Sequence, residues 1–267
     1  MGQESLGKGA ARAAADLRGP LAQISMAGQW LERYAGEDEK CRKYLAMMNQ
    51  GISRMLRIVD RMELSDRLGR EKPELNLAPT DLSRLTADLG AQMESLLERA
   101  GVGLTVQTPE YLLARVEGTL IRQLLLELVA NGAGGPNGAR AGGRVSLTLK
   151  RDGDNAVFTV EDDGPGLPPE KLPFLFNSDG EGLPEWRQGG NGVALAHRIA
   201  VLHGGRLAPV CEAGRGLMVV VSIPLNQGEG GTLRESRAEA DRGGFGEARV
   251  GLSHLLPPEV FAPGEYE

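Results

Sequence analysis

The chain has 267 residues, of which 41% are hydrophobic, 25% charged and 4% aromatic, and its formal net charge is −6 at pH 7. This composition fits a soluble globular protein, and the acidic balance argues against a nucleic-acid binder with a broadly basic surface. Two cysteines without metal-ligand spacing argue against a disulfide framework or a zinc site. Because no stretch approaches the roughly 18 apolar residues of a membrane helix, we expect no membrane span and a cytoplasmic location.

Residues 8–70 are predicted to form two helices with a break at 35–38. In each helix, apolar or small residues recur at alternating spacings of four and three, which is typical of a helix-bundle seam. These residues are Leu17, Leu21, Ile24, Gly28, Leu31 and Ala35, then Leu45, Met48, Ile52, Met55, Val59 and Met62. Since two helices cannot bury such seams alone, we expect a homodimer through residues 8–70 that forms a four-helix bundle. The alternative is an intramolecular hairpin packed on the rest of the chain.

Residues 72–225 are predicted to mix helices and strands. The predicted helices span residues 82–100, 119–130 and 192–202, the first opened by the cap candidates Thr80 and Asp81. The predicted strands span residues 102–107, 144–149, 156–161, 207–211 and 217–223. Helices and mainly antiparallel strands in this order favour an α+β fold, in which an α/β sandwich follows the helical hairpin.

Residues 226–267 are rich in Gly, Glu and Arg and show little periodicity, so they are predicted to be a disordered tail. An apolar cluster near the end of the chain is either a short docking motif or an exposed terminus, and we assign it no docking role. The cluster comprises Leu252, Leu255, Leu256, Val260 and Phe261.

The turn after the predicted strand 156–161 reads Asp162-Asp163-Gly164-Pro165-Gly166. A carboxylate held at a strand end can accept a hydrogen bond from an exocyclic amine, such as that of adenine. The glycines allow a tight turn and a close approach of the backbone to a ligand. The alternative interpretation is an ordinary β-turn with Asp and Gly in their usual roles.

A second glycine-rich segment, Gly189-Gly190-Asn191-Gly192, leads directly into the predicted helix 192–202. The start of such a helix offers free backbone N–H groups and the positive end of the helix dipole, which suit a phosphate group. The alternative interpretation is a flexible loop that merely ends at the helix.

The predicted helix 119–130 is strongly apolar but carries Glu127, four residues before Asn131. These two side chains share one helix face, and polar groups on a buried face need a partner or a function. An Asn oxygen can ligate Mg²⁺, and a carboxylate can orient water or a hydroxyl group. The alternative is that Asn131 only caps the helix before the glycine-rich residues 132–135.

The order and spacing of these three segments resemble the N, G1 and G2 boxes of the sensor histidine kinase ATP-binding domain. Residues 173–176, Pro-Phe-Leu-Phe, resemble the F box, and residues 197–206 resemble the helix and His-Gly-Gly turn after G2. Residues 14–21 resemble the H box on the first dimerisation helix. The resemblance covers about residues 10–225 and implies an α/β sandwich of the histidine-kinase and gyrase ATPase type.

The resemblance also implies ATP and Mg²⁺ as cofactors, with residues 167–189 as a mobile lid. Asn131 would hold Mg²⁺ between the ATP phosphates, and Asp162 would accept the adenine amine. The residues implied to bind nucleotide are Asn131, Asp162, Gly164, Gly166, Gly190 and Gly192.

Several positions depart from the family pattern. The stretch after Asn131 lacks the usual basic residue, and Ala194 stands where a third glycine is common in the G2 box. Glu127 occupies the place of a frequent second Asn, and its segment is similar to the box of gyrase and mismatch-repair ATPases. There the Glu activates water, so a slow ATPase that uses Glu127 remains open.

The phosphoacceptor histidine of the H box is replaced by Ala15, while Asp16 occupies the place of the acid that assists phosphotransfer. A methyl group has no lone pair to attack a γ-phosphoryl group. We therefore predict a two-component protein that binds ATP but acts as a non-autophosphorylating adaptor or modulator of a phosphorelay. Its expected partner is a response-regulator receiver domain or another histidine kinase. The alternatives are an ATPase, a histidine kinase acting in trans, and an interaction module without nucleotide.

Overall fold

The chain forms two compact units, Met1–Glu74 with Glu239–Glu267 (unit 1) and Leu75–Ala238 (unit 2). The computed structural model describes residues 2–35, 38–70, 73–135, 138–167, 169–176, 192–211, 216–225 and 246–263. The predicted α+β fold class is confirmed, with a helical hairpin in unit 1 and a mixed α/β layer structure in unit 2.

Unit 1 is built on two long helices, α1 (Gly2–Ala35) and α2 (Glu39–Gly69). Asp38 begins the second helix as its N-cap, because its Oδ1 accepts hydrogen bonds from the backbone N–H groups of Lys40 (2.9 Å) and Cys41 (3.3 Å). Pro20 lies inside α1, which continues through it. Among the described residues, no helix combines the length and apolar character needed to cross a bilayer.

The predicted seam is divided between two faces of the hairpin, since one pair of helices can bury only one face of each. The buried face joins α1 to α2 through a cluster of Ala14, Leu21, Ile52, Leu56 and Val59, and Val250 from residues 246–263 packs in the same cluster. The large apolar residues that remain exposed in the same hairpin include Leu17, Ile24 and Leu31 on α1 and Met55 and Ile58 on α2. Unit 1 therefore buries half of its predicted seam and leaves an apolar stripe uncovered.

The prediction of a disordered tail is wrong for residues 246–263. This segment, which we call the clasp, contains α6 (Glu247–Leu252) and a 3-10 turn (Pro258–Phe261). All five members of the apolar cluster seen in the sequence are buried, together with Ala248 and Val250. The segment packs on α2, so its apolar residues are part of the core of unit 1.

Unit 2 contains a five-stranded sheet in the order β2-β6-β7-β9-β8, antiparallel except for the parallel pair β2 and β6. The strands are β2 (Gly103–Gln107), β6 (Arg144–Asp152), β7 (Asn155–Asp162), β8 (Arg206–Cys211) and β9 (Leu217–Pro224). The helices are α3 (Leu82–Glu98), α4 (Gly118–Ala133) and α5 (Gly192–Leu202). Because α4 contacts α3, α5, β6 and β7, it is the central helix of this layer.

Two short ladders were not predicted from the sequence. Strands β1 (Ala78–Asp81) and β3 (Leu113–Val116) pair antiparallel, and so do β4 (Gly134–Gly135) and β5 (Gly138–Ala139). Runs of two to four residues are too short to show an alternating pattern, which explains why they were missed. The predicted cap Asp81 is confirmed, because its Oδ1 accepts from the N–H groups of Ser83 (3.0 Å) and Arg84 (3.3 Å).

Candidate nucleotide site

The first predicted site element, α4, is buried along most of its length, and Glu127 is only 3% exposed within it. The Glu127 carboxylate accepts a hydrogen bond from Gln123 Nε2 at 2.9 Å, one helical turn earlier. Asn131 lies one turn later and is half-buried. The helix therefore presents an amide and a buried carboxylate on one face, as the spacing of four predicts.

The second element, the end of β7, lies directly beside the end of α4. Buried and less buried residues alternate along β7, so that Asp162 falls on the same face as the buried Phe158 and Val160. Asp162 is 4% exposed. Gly132, the residue after Asn131, packs against it so closely that a Cβ at Gly132 would lie 3.3 Å from Asp162 Cβ. The first two predicted motifs are therefore neighbours in space.

The third element, the start of α5, meets α4 at Glu127. A Cβ at Gly192 would overlap with Glu127 Oε2 and would lie 3.2 Å from Glu127 Cβ. A side chain at position 192 would therefore have to displace the Glu127 carboxylate, so glycine permits this close approach of α5 to α4. Along α4, Glu127 touches one glycine-rich motif and Gly132 touches the other, with Asn131 between them.

The loop after Asp162 is held by that side chain. Asp162 Oδ1 accepts a hydrogen bond from the backbone N–H of Gly164 at 2.8 Å, and Gly164 is itself buried. Gly166 has a φ of +70°, a left-handed conformation that favours glycine. Both glycines therefore have a structural reason to be glycine, as the tight-turn interpretation requires.

Arg140 is a site residue that sequence reasoning missed. It lies beyond the β4–β5 hairpin, and its backbone N–H donates to the carbonyl of Ala133 at 2.8 Å, which returns the chain to the end of α4. Its Nη2 lies 2.6 Å from Asp163 Oδ1, and its Nε would lie 3.5 Å from a Cβ at Gly164. A basic group is thus present beside the loop, although none follows Asn131 directly. The only signal was an isolated Arg in a run of Gly, Ala and Pro.

Asp163, the exposed neighbour of Asp162, contacts both Arg144 and Arg140. Burial by itself would raise the pKa of Asp163, but the hydrogen bond from the Arg144 N–H (2.8 Å) and the ion pair with Arg140 outweigh it and lower the pKa. Asp163 is therefore a structural carboxylate, which leaves Asp162 as the buried one.

A cysteine links the same loop to the β8–β9 connection. The backbone N–H of Leu167 donates to Cys211 Sγ at 3.0 Å, and the thiol donates to the carbonyl of Gly216 at 3.0 Å. Cys211 is present as a thiol and is not half of a disulfide. This link was not predicted, because the two residues are 44 positions apart.

His203 joins the end of α5 to the start of α4. Its Nε2 accepts from the backbone N–H of Glu117 at 3.1 Å, and its Nδ1 lies 2.8 Å from the carbonyl of Ile199, so Nδ1 carries the proton. Burial lowers the pKa of His203, which is therefore neutral at pH 7. The residue has a structural role in positioning α4 against α5.

Gly190 and most of the predicted lid, residues 167–189, lie outside the described residues. Within the lid, Leu167 is buried and the turn Pro169–Phe176 is described. Leu175 is buried, and the ring of Phe176 lies 4.8 Å from that of His197 on α5. The F-box-like segment therefore ends against the helix that follows the G2 motif.

Residues 117–227 match the family model described as histidine kinase-, DNA gyrase B-, and HSP90-like ATPase. Sporulation kinase D of Bacillus subtilis (strain 168) is 27% identical over 230 residues, which cover 84% of this chain. Sensor histidine kinase MtrB of Mycobacterium tuberculosis (strain CDC 1551 / Oshkosh) is 30% identical over 222 residues, which cover 80%. Residues 117–227 therefore form a domain of this ATPase kind, and the chain as a whole is similar to sensor histidine kinases.

This histidine kinase homologue spans 42% and 38% of the length of those two relatives. Full-length ShkA in complex with AMPPNP matches with a TM-score of 0.63 and 23% identity, covering 81% of this chain and 45% of ShkA. ThkA in complex with the response regulator TrrA matches with a TM-score of 0.53 and 21% identity, covering 82% and 62%. At these identities the likeness shows a shared fold.

The donor set of this histidine kinase homologue fits a Mg²⁺ ion brought in with a nucleotide. Among the described residues no group of three His, Cys, Asp or Glu side chains could hold a metal ion by itself. Mg²⁺ usually takes few protein ligands and completes its shell with phosphates and water. Asn131 offers an amide oxygen at the point where the motifs meet, which suits such an ion.

The residues predicted to resemble an H box lie on α1 in unit 1, where Ala15 and Asp16 are both exposed. Their neighbour Arg18 is engaged with α2, since its Nη2 lies 2.7 Å from Asp60 Oδ1 and 2.6 Å from Glu63 Oε2. The hydrogen bond with Glu63 is the main cause that raises the pKa of Arg18. Arg18 therefore stabilises the hairpin, whereas Asp16 remains open to solvent.

Proposed function

We propose that this histidine kinase homologue binds ATP with Mg²⁺ in unit 2 but does not autophosphorylate on α1, and acts as an adaptor or modulator in a phosphorelay. The observation that carries the proposal is Ala15 at the phosphoacceptor position of the H-box-like segment. A methyl group is not a nucleophile, so the γ-phosphoryl group has no acceptor there.

Nucleotide binding is supported by the way three motifs meet along α4. The Asp162 carboxylate is buried and would accept the adenine amine, because a buried carboxylate needs donors. The start of α5 would bind phosphate through its backbone N–H groups. Asn131 would hold Mg²⁺, which neutralises phosphate charge when it is bound. The complex of ShkA with AMPPNP supports the same assignment for this fold.

Hydrolysis is the second candidate activity, favoured by the burial of Glu127 against Gly192. A buried carboxylate beside the phosphate-binding helix start can orient a water molecule for attack. The Gln123 amide donates to Glu127 Oε1 at 2.9 Å, and Glu127 Oε2 lies beside Gly192 at the start of α5. This activity requires no acceptor on α1.

The direct test of nucleotide binding is an equilibrium titration of the full chain with a fluorescent ATP analogue, with and without Mg²⁺. We expect saturable binding that is strengthened by Mg²⁺, because the ion offsets repulsion between the phosphates and the Glu127 carboxylate. If the folded chain fails to bind the analogue, the interpretation that remains is an interaction module that does not bind nucleotide.

A homodimer is the proposed assembly, and the uncovered stripe of unit 1 is its proposed interface. Leu17, Ile24 and Leu31 recur every seven residues on α1, and Met55 and Ile58 extend the exposed stripe on α2. A second copy offers an identical stripe, so the two hairpins would bury both in a four-helix bundle. The clasp supports this choice because it packs on other residues of α2 and leaves the stripe free.

Ile24→Asp is expected to convert the dimer to a monomer. A charge placed in an apolar interface loses its hydration, so the dimer dissociation constant should rise about tenfold or more. Sedimentation equilibrium of the full chain measures this change. The matched control is Val201→Asp in unit 2, since the two side chains are 45% and 44% exposed. A wild-type chain that is monomeric at high concentration would contradict the proposal.

The expected partner is a receiver domain, with another histidine kinase as the alternative. The complex of ThkA with the response regulator TrrA shows that a protein of this fold binds such a domain. The exposed Asp16 beside Ala15 retains an acid on α1 even though the acceptor is gone. That surface can therefore still contact a partner without receiving phosphate from ATP.

A further inference from the structure

The clasp is held to α2 by side-chain donors that reach its backbone carbonyls. Gln50 Nε2 donates to the carbonyl of Leu256 at 2.7 Å, and Asn49 Nδ2 donates to that of Phe261 at 3.3 Å. Arg54 Nε donates to the carbonyl of Ser253 at 3.3 Å. Moving along α2 from Asn49 to Arg54, the acceptors move backward from Phe261 to Ser253. The clasp therefore runs antiparallel to α2 along one helix face.

The backbone amides of the clasp, in contrast, bond within the clasp. Val250 donates to the carbonyl of Gly246 at 3.0 Å, and Leu255 donates to that of Leu252 at 2.8 Å. Both partners of each bond lie in the clasp, so none of these bonds joins it to α2. Docking on α2 therefore depends on the apolar contacts and a few side-chain hydrogen bonds, and a helix of six residues frays once the segment is undocked.

The interface also contains polar atoms that have no partner while it is closed. In the part of the chain that the structure describes, Ser53 Oγ on α2 and Ser253 Oγ on the clasp are buried without a hydrogen bond. Such atoms regain water when the interface opens, and each one weakens the closed state. A permanent core position would favour apolar residues at these sites.

We propose that the clasp is a reversible intramolecular ligand of α2, and that while docked it withholds this face of the hairpin from other proteins. Its apolar side chains fill a groove along α2. The side-chain amides of Asn49 and Gln50 and the guanidinium group of Arg54 donate to backbone carbonyls, which any extended or turn segment presents. The groove accepts one such segment at a time. A partner that uses this face must therefore compete with residues 246–263.

The first test uses a fluorescently labelled peptide with the sequence of residues 246–263. Leu256→Asp in the full chain places a charge in the buried contact and should release the clasp, leaving the groove open. We expect this variant to bind the peptide at least tenfold more tightly than the wild-type chain, whose groove is filled. Adding Gln50→Ala should weaken peptide binding about three- to tenfold, because it removes the donor to the Leu256 carbonyl.

The matched control is Leu77→Asp, the same substitution at a more exposed leucine in unit 2, which should behave like the wild-type chain. Equal binding of the peptide by the wild-type and Leu256→Asp chains would overturn the proposal. So would the absence of binding to a Leu256→Asp chain that keeps its helical circular dichroism.

The second test needs no variant and measures hydrogen exchange in the wild-type chain. A reversible clasp predicts that the amides of Val250, Leu256 and Val260 exchange through openings that leave the central amides of α2 protected. Exchange of the clasp together with the centre of α2 would show that the segment is a fixed part of the core, and would overturn the proposal even where Leu256→Asp does not fold.

Acid should favour release, because His254 must be neutral to dock. The His254 side chain faces Arg54, Arg57 and Arg61 of α2 and the carbonyl of Gly251 in the clasp. Burial is the largest cause that lowers the pKa of His254, and the three positive charges add to it, so that the pKa is about 3. The undocked side chain has the ordinary pKa of about 6.5. Docking is therefore at full strength above pH 6.5 and weakens as the pH falls from 6.5 toward 3.

Between pH 7.5 and 5.5, the docking equilibrium should weaken about tenfold. Hydrogen exchange of the clasp, corrected for the intrinsic pH dependence of exchange, measures this change. His254→Gln cannot gain the proton and should lose the pH dependence while it keeps a docked clasp. An unchanged wild-type protection between the two pH values would contradict this role of His254.

Discussion

Asp162→Asn is expected to weaken binding of the ATP analogue about ten- to a hundredfold. The buried carboxylate is the only charged acceptor that β7 places on the helix side of the sheet in the described residues, and the substitution removes its charge while keeping its volume. A hydrogen bond to a charged group contributes about 1.5–3 kcal/mol, which corresponds to that range.

The same substitution should reduce the preference for adenine over guanine. The guanine ring presents a carbonyl where adenine presents an amine, so the wild-type carboxylate repels it, whereas an amide can turn its N–H₂ group toward the carbonyl. Competition of ATP and GTP with the fluorescent analogue measures the ratio. Asp154→Asn, the same charge change at the exposed β6–β7 turn, is the control and should leave both affinities unchanged. Equal ATP affinity in wild type and Asp162→Asn would contradict the assignment.

Gly216→Ala is expected to unfold unit 2 or to destabilise it by about 3 kcal/mol or more. Gly216 has a φ of +85°, and a Cβ there would overlap with the carbonyl oxygen of Asp162 and lie 2.7 Å from its carbonyl carbon. A left-handed conformation costs an L-residue about 1–2 kcal/mol, and the clash with rigid backbone adds to it. The end of β7 would have to move, and the nucleotide site would move with it.

Gly153→Ala separates the cost of the left-handed backbone conformation from the cost of the steric clash. Gly153 also has a positive φ, +56°, but a Cβ there meets no atom within 4 Å. We expect this variant to lose about 1–2 kcal/mol and to retain nucleotide binding. Urea unfolding of both variants, with binding of the ATP analogue measured in parallel, gives the difference. Equal stabilities for the two would mean that the packing of Gly216 on Asp162 contributes little.

The site elements were predictable because their signals are local. A run of alternating residues that ends in Asp162, followed by glycines, specifies both the strand and its turn, and Gly192 marks the start of α5. The spacing of four between Glu127 and Asn131 fixes their common face on α4. The structure adds the step that a linear pattern cannot give, namely that Gly132 and Gly192 touch Asp162 and Glu127 respectively.

The residues that were missed reach their places through long-range packing. Arg140 returns to Gly164 across a glycine-rich hairpin, and Cys211 meets Leu167 across the sheet. Neither position follows from periodicity or composition. The polar composition of residues 226–267 favoured a single disordered tail, whereas the apolar cluster within it, from Leu252 to Phe261, is what docks on α2.

The hairpin shows a similar limit. Apolar residues at alternating spacings of four and three identify a seam, but the spacing does not determine which of these residues face the other helix of the same chain. Leu21 and Gly28 pack inward on α2, and Leu17, Ile24 and Leu31 remain outside. The choice depends on the rotation of α1 about its axis, which the ion pairs of Arg18 with Asp60 and Glu63 help to fix.

The most direct measurement incubates the full chain with ATP labelled on the γ-phosphate and separates label on the protein from released phosphate. We expect bound ATP but no acid-labile, base-stable label on the chain, because Ala15 cannot accept a phosphoryl group. Released phosphate that disappears in Glu127→Gln would assign hydrolysis to that carboxylate. Stoichiometric acid-labile label on the wild-type chain would contradict the proposal that it is not an autokinase.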